Sequence, residues 1–346
     1  MMPDASFAQR LVRWQRLQGR HDLPWQANRD PYRVWLSEIM LQQTQVSTVI
    51  AYFERFLKRF PTVQDLAAAS QEDVLGLWSG LGYYSRARNL HRCAQAVVQA
   101  HGGAFPRQFE MLQTLPGIGP STAAAIASLC FEERVAILDG NVKRVLTRVL
   151  GYGEDLSVGA HERQLWAHAQ SLLPYEHADM PTYTQGIMDL GATVCKPRKP
   201  QCEACPMASL CQAHALGSPE AFPVKTRKIR RTSESLWLLL AVSAQGAVLL
   251  QQRPQQGIWA GLHCLPVFES EQALRRALPK KAQSQWVAAP AFKHVLTHKD
   301  LYMHPCVVRP AAPSTQWPEG EWLDEEVWPA LGLPAPVRSL LLSHAT

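Results

Sequence analysis

Four of the eight cysteines lie between residues 195 and 211, as Cys195, Cys202, Cys205 and Cys211 in a C-x6-C-x2-C-x5-C array. This spacing needs only a compact loop to gather four thiolates around one centre. Structural zinc sites more often use two paired C-x-x-C knuckles, and here there is one such pair. The array therefore favours a cubane iron–sulfur cluster, with zinc as the alternative. Cys93, Cys130, Cys264 and Cys306 are scattered and read as small, buried, reduced hydrophobes. The start of the chain, MMPDASFAQRLVRWQR, shows no basic segment followed by an apolar run, and no stretch is apolar enough to span a membrane. A disulfide framework is thus disfavoured, and a soluble cytosolic protein is expected.

With 346 residues, two domains are the starting expectation. From Phe7 to about Ala215, apolar residues recur at spacings of three and four, the mark of helices, with breaks at Gly80, Gly82, Pro116-Gly117 and Gly119-Pro120. The net charge of +6 is uneven: residues 225–231 carry five cations and no carboxylate, whereas both flanks are nearly balanced. Such a run is a solvated linker or a strip lying along a phosphate backbone. Beyond it, Leu236–Val242, the Ala244-Gln245-Gly246 turn and Ala247–Gln251 read as a hairpin opening a small α+β unit. The expected organisation is an all-α domain over 1–224, a basic linker over 225–234 and a mixed domain over 235–346.

Three local features carry chemistry. Leu115-Pro116-Gly117-Ile118-Gly119-Pro120-Ser121 joins two helices over about 108–130, and its glycines leave backbone N–H groups free to meet a phosphate without reading a base. Its plain alternative is an ordinary helix–helix turn. Asp139 precedes the helix Val142–Leu150; an Asp there usually caps the helix, but Asn141 can take that role and free Asp139. Glu38 sits in the apolar run Trp35–Leu41, either as an exposed helix residue or as a buried acid with a raised pKa. Lys196, Arg198 and Lys199 between the first two clustered cysteines are expected to face phosphates.

Taken together, Ser37–Val46, Gly80–Asn89, Leu115–Thr122, Leu138–Arg144 and the cysteine array resemble the MutY-type adenine DNA glycosylases, and Leu249–Pro254 with Gly257–Leu262 resembles that family's MutT-like domain. The resemblance implies a helix-hairpin-helix glycosylase core holding one [4Fe-4S] cluster, followed by a small α+β MutT-like domain. It also implies a monomeric enzyme acting on double-stranded DNA with A:8-oxoG or A:G mispairs, with no membrane role. Glu38 would protonate the leaving adenine and Asp139 would stabilise the cationic sugar, since two carboxylates must hold different protonation states at one pH. Ser121, Asn141, Trp25, Gln26 and Gln185 fall in the supporting pocket. Gln43 and Tyr83 would insert around the mispair. Leu115, Gly117, Gly119, Lys143, Arg198 and Lys199 would bind the DNA backbone. Leu296-Thr297-His298 corresponds to the family's Phe-Ser-His turn against 8-oxoguanine, losing an aromatic face but keeping a hydroxyl.

In the related endonuclease III-like enzymes a lysine at the position of Ser121 forms a Schiff base and cuts the strand, which serine cannot do. This disfavours a pyrimidine glycosylase of that type. Retention of Glu38 and Asp139 disfavours a non-catalytic iron–sulfur DNA sensor. A nucleotide pyrophosphatase in the second domain is disfavoured because Phe268–Lys281 offers only Glu269 and Glu271 with Arg275-Arg276.

Overall fold

The computed structural model describes residues 6–227, 230–314 and 316–344. Lys228 and Ile229 of the basic segment lie outside them. The chain forms two compact units, Met1–Ala67 with Arg92–Lys228, and Ala68–His91 with Ile229–Thr346.

The first unit is helical among its described residues. Its first helix, Phe7–Gln18, is started by Ser6, whose side chain accepts from the Gln9 backbone while the Gln9 side chain accepts in return. The helix Pro31–Leu41 begins with Asp30 accepting from the Tyr32 N–H at 2.9 Å and with Pro31 at the first position. It is apolar nearly all round, with Val34, Trp35, Leu36, Ile39 and Met40 buried, so that Glu38 is a carboxyl set into a core helix. The helix Pro120–Phe131 buries Ala123 to Ala127 completely. These small residues let it pack against both Pro31–Leu41 and Met180–Thr193. A hydroxyl pair at 2.6 Å, Ser128 with Thr184, satisfies two polar groups inside that contact. The helix Gly140–Leu150 also packs on Met180–Thr193, and Gly191 permits it: a Cβ there would lie 2.6 Å from the Cβ of Asn141.

The second unit is built on two sheets. Strands Thr232–Ala241 and Lys299–Val308 pair in parallel over ten residues, from Thr232 opposite Lys299 to Ala241 opposite Val308. Val267–Phe268, Val287–Ala288 and Phe292–Val295 complete that sheet. The other sheet holds His263–Cys264, Val248–Gln252 and Glu321–Leu323. Leu236, Leu238 and Leu240 face a core closed by Trp328, Leu333 and the helix Ala335–His344, while Leu239 and Ala241 face a second core under Leu274 and Leu278. A strand buried on both faces explains the unbroken run Leu238-Leu239-Leu240.

Two expectations are corrected here. Leu236–Val242 and Ala247–Gln251 do not form a hairpin: the chain turns at 244–246 and makes one isolated bridge, Val242 with Val248, before its strands enter different sheets. Long two-sided burial outweighs the local turn signal. The basic stretch also stops short of residue 234, because the first strand already begins at Thr232.

Residues 68–91 are held in the second unit. Ser79 Oγ and Tyr84 Oη donate to the Leu333 carbonyl at 3.2 and 2.7 Å, and Gly76 makes room for the Ala330 carbonyl, which would stand 2.2 Å from a Cβ.

Candidate functional site

Glu38 opens onto a cavity of 380 Å³ in the first unit, shared with Trp25, Gln26, Gln185, Arg20 and Ser37. Trp25 is buried and meets Phe53 edge-on at 5.4 Å, which makes it a rigid wall. Burial, reinforced by the charge of Asp139, pushes the Glu38 carboxyl up to about 8, so it holds its proton at neutral pH. The structure thus brings Glu38, Trp25, Gln26 and Gln185 to one place, from three stretches of sequence.

Asp139 stands at the head of the helix Gly140–Leu150 and accepts from the Val142 N–H at 2.7 Å. It caps the helix itself, which corrects the expectation that Asn141 would free it. Asn141 lies inside the helix and accepts from Arg144 Nη2 at 2.8 Å. The direction of its pKa is also a correction. Burial raises the carboxyl, and the Val142 and Asn141 N–H groups, Arg144 and Lys143 only partly offset this. Desolvation outweighs the helix dipole at this depth. The two carboxyls are close enough for the charge of Asp139 to raise Glu38.

The helix–turn–helix at 109–131 is pinned by Leu115 and Ile118, both buried, and closed by the Ile118 N–H on the Leu115 carbonyl at 3.2 Å. The expectation of a DNA contact through Leu115 therefore fails for its side chain, which anchors the turn. Gly117, with φ of 76°, and Gly119 are the exposed positions. Ser121 follows Pro120 in the first turn of the next helix. Gln43 and Tyr83 are both exposed and both adopt the left-handed backbone, with φ of 58° and 48°. Such backbone in residues other than glycine is uncommon and concentrates at functional loops. Tyr83 is braced by Arg86, whose guanidinium lies 5.4 Å from the Tyr83 ring and 5.2 Å from that of Trp78. Lys143 is not a free cation: its Nζ pairs with Glu162 at 2.6 Å. Lys196, Arg198 and Lys199 are exposed.

The four clustered cysteines line one small pocket with Val145, Val149 and Leu190. Burial and mutual repulsion raise the thiols of Cys202, Cys205 and Cys211, with Cys205 reaching about 12. Only a cationic centre makes four thiolates tolerable at such a spot. Buried Arg148 donates to Cys195 Sγ at 3.3 Å and to the Lys196 and Pro197 carbonyls at 2.7 and 3.1 Å. The donor set therefore fits a thiolate-ligated cluster. Among the described residues no three His, Cys, Asp or Glu side chains close around a point as ligands of one ion would.

A protein named adenine DNA glycosylase in Buchnera aphidicola (subsp. Acyrthosiphon pisum) is 37% identical, across 97% of this chain and 96% of that protein. The chain belongs to the adenine DNA glycosylase family. Mouse and human proteins of the same name are each 38% identical, over 93% and 89% of this chain and 74% and 68% of theirs. Family models agree in order along the chain. Residues 36–171 match the HhH-GPD superfamily of base excision DNA repair proteins, 195–211 the iron–sulfur binding domain of endonuclease III, and 237–343 a NUDIX domain. Residues 68–91 thus belong to the repair-protein model by sequence while packing in the second unit. Among solved structures, a thermostable thymine-DNA glycosylase aligns at 29% identity and a TM-score of 0.54, over 61% of this chain and 95% of that one. An endonuclease III–DNA complex aligns at 21% and 0.50, which shows the fold alone.

Two features of this adenine DNA glycosylase family member escaped sequence reading. Arg20 and the fully buried Asp189 form an ion pair at 2.6 Å beside the Glu38 cavity. The available signal was an aspartate four residues after Gln185 on an apolar helix. The second is the setting of Leu296-Thr297-His298, the turn between strands Phe292–Val295 and Lys299–Val308. Leu296 packs against the core, whereas Thr297 and His298 are exposed. Thr297 Oγ1 meets Tyr83 Oη at 2.9 Å, and Arg231 donates to the Leu296 and Thr297 carbonyls at 2.9 and 3.4 Å.

Proposed function

We propose that the protein excises adenine mispaired with 8-oxoguanine, and with guanine, from duplex DNA, as a monomeric glycosylase without an efficient strand-cutting step. The observation that carries this reading is the pair of unequal carboxyls. Glu38 is protonated at neutral pH on a cavity lined by Trp25, Gln26 and Gln185, and Asp139 lies near enough to raise it. A flipped adenine entering the cavity receives the Glu38 proton on a ring nitrogen as its N-glycosidic bond breaks. The Asp139 carboxylate stabilises the oxocarbenium ion from beneath, and water supplies the oxygen that bonds to the sugar carbon, giving up its proton to a carboxylate. Ser121 has no amine with which to form an imine, so the strand stays intact.

Gly117 and Gly119 present backbone N–H groups to a phosphate, Arg198 and Lys199 of the cysteine loop add cations, and Gln43 and Tyr83 enter the mispair. Lys143, already paired with Glu162, becomes a phosphate contact only by exchanging that partner. Cys195, Cys202, Cys205 and Cys211 hold one [4Fe-4S] cluster, which keeps the 195–211 loop in shape. Thr297 and His298 read 8-oxoguanine by hydrogen bonding, and Leu296 serves packing. We assign 1–224 to the glycosylase domain and 232–346 to the MutT-like domain.

The test is incubation of the protein with duplexes carrying adenine opposite 8-oxoguanine, guanine or thymine, with strand breaks scored before and after alkali. Adenine-specific breaks that appear only after alkali, and least with thymine, are expected. Release of a pyrimidine instead, or breaks without alkali, would replace this reading with an endonuclease III-like one.

A further inference from the structure

One carboxylate beside the Glu38 cavity has no part in the scheme above. Asp189 is fully buried on the helix Met180–Thr193, four residues beyond Gln185. It accepts the backbone N–H of Arg20 at 2.9 Å, Arg20 Nε at 2.7 Å, Arg20 Nη2 at 2.6 Å and Gln185 Nε2 at 2.8 Å. A carboxylate in an ion pair accepts and does not donate. Gln185 must therefore turn its NH2 toward Asp189, and its carbonyl Oε1 is what it has left for the cavity it lines. Gln26 on the same cavity is turned the other way, since the Leu23 N–H donates to its Oε1 at 3.3 Å and leaves its NH2. The cavity wall thus offers one oriented acceptor and one oriented donor.

We propose that Asp189 is a positioning residue that makes this cavity select a 6-aminopurine over a 6-oxopurine, by locking the Gln185 amide with its oxygen toward the base. The inference rests on the reading that this cavity receives the flipped base. A 6-amino group donates to Oε1 and satisfies it. A 6-oxo group sets two oxygens face to face, leaving two acceptors unpaired away from water. Without the Asp189 lock, an amide accommodates either base by rotating about its last bond.

The experiment uses the full-length, cluster-loaded protein and duplexes carrying adenine, purine or hypoxanthine opposite one common partner base. Single-turnover excision rates are compared. Asp189→Ala removes the oxygen that holds the Gln185 NH2, so that Gln185 can rotate. The adenine-to-hypoxanthine preference is expected to fall by about ten-fold, one hydrogen bond's worth. Excision of purine, which has no group at position 6, should change much less. Gln185→Met should show the same loss of preference, and adding Asp189→Ala to it should cost no further preference. A measurement on the unsubstituted protein is independent of any folding defect: the Gln185 side-chain amide protons should exchange with solvent far more slowly than those of exposed glutamines. Equal losses on all three bases, an unchanged preference in Asp189→Ala, or fast exchange at Gln185 would each overturn the proposal. An unsubstituted protein that excises no adenine at all would overturn the base-pocket reading beneath it, a distinct result.

Discussion

At the scale of single residues the two carboxyls make separable predictions. Glu38 has its pKa raised from 4.5 to about 8, so the folded state binds its proton more tightly than the unfolded chain does. The stability contributed by this group is complete below pH 4.5 and is lost as pH rises through 8. Urea midpoints measured across that interval should fall with pH less steeply in Glu38→Gln than in the unsubstituted protein; parallel curves would contradict the raised pKa. Excision should decline on the alkaline side as the proton leaves, and Glu38→Gln should lose roughly 10²–10⁴-fold in rate, the usual worth of a general acid. Asp139 caps its helix and has a catalytic role on the proposed function, and substitution can divide the two. Asparagine caps a helix as well as aspartate does, so Asp139→Asn should abolish excision with mispair binding and melting temperature nearly unchanged. Asp139→Ala should also cost about 1 kcal/mol of stability through the lost bond to Val142. Substantial turnover by Asp139→Asn would remove the residue from the mechanism.

At the scale of elements, the helix–turn–helix and the cysteine loop each carry a test. Ser121 occupies the first turn of the helix Pro120–Phe131. Replacing it with lysine should introduce some strand cleavage through an imine, trapped as a borohydride adduct; the absence of any adduct would argue against this placement. Purified protein should be yellow-brown with about four irons per chain, and Cys202→Ser should lower folded yield or DNA affinity. Stoichiometric zinc without iron in anaerobic preparations would refute the cluster assignment. Helices were legible here because their apolar spacing is a local property. The failed hairpin at Leu236–Gln251 shows the converse, because nothing in a short apolar run tells whether its strand pairs with its sequence neighbour or with a partner sixty or more residues away.

At the scale of the whole molecule the proposed function raises the question of how a normal base is identified as wrong, since on that reading the information lies in its partner. Thr297 and His298 are exposed at a hairpin tip in the second unit, and Thr297 touches Tyr83. Thr297→Ala with His298→Ala should erode the preference for 8-oxoguanine over guanine opposite adenine, each lost contact being worth on the order of 1 kcal/mol. Excision from adenine–guanine duplexes should change much less. Equal losses on both would indicate a general binding defect, and unchanged discrimination would put the reader elsewhere in the second domain. Sequence alone determined the class of chemistry: the cysteine spacing, the two glycines of the turn, and Glu38 and Asp139 in their local settings are short-range patterns, and residue type with spacing carries them. Tertiary structure decided what those groups can do. That Glu38 is an acid near pH 8, that Lys143 is spent on Glu162 and that Asp189 pairs with Arg20 all depend on burial and on partners distant in sequence. Desolvation and hydrogen-bond geometry are properties of packed neighbours, and no single stretch of chain specifies them.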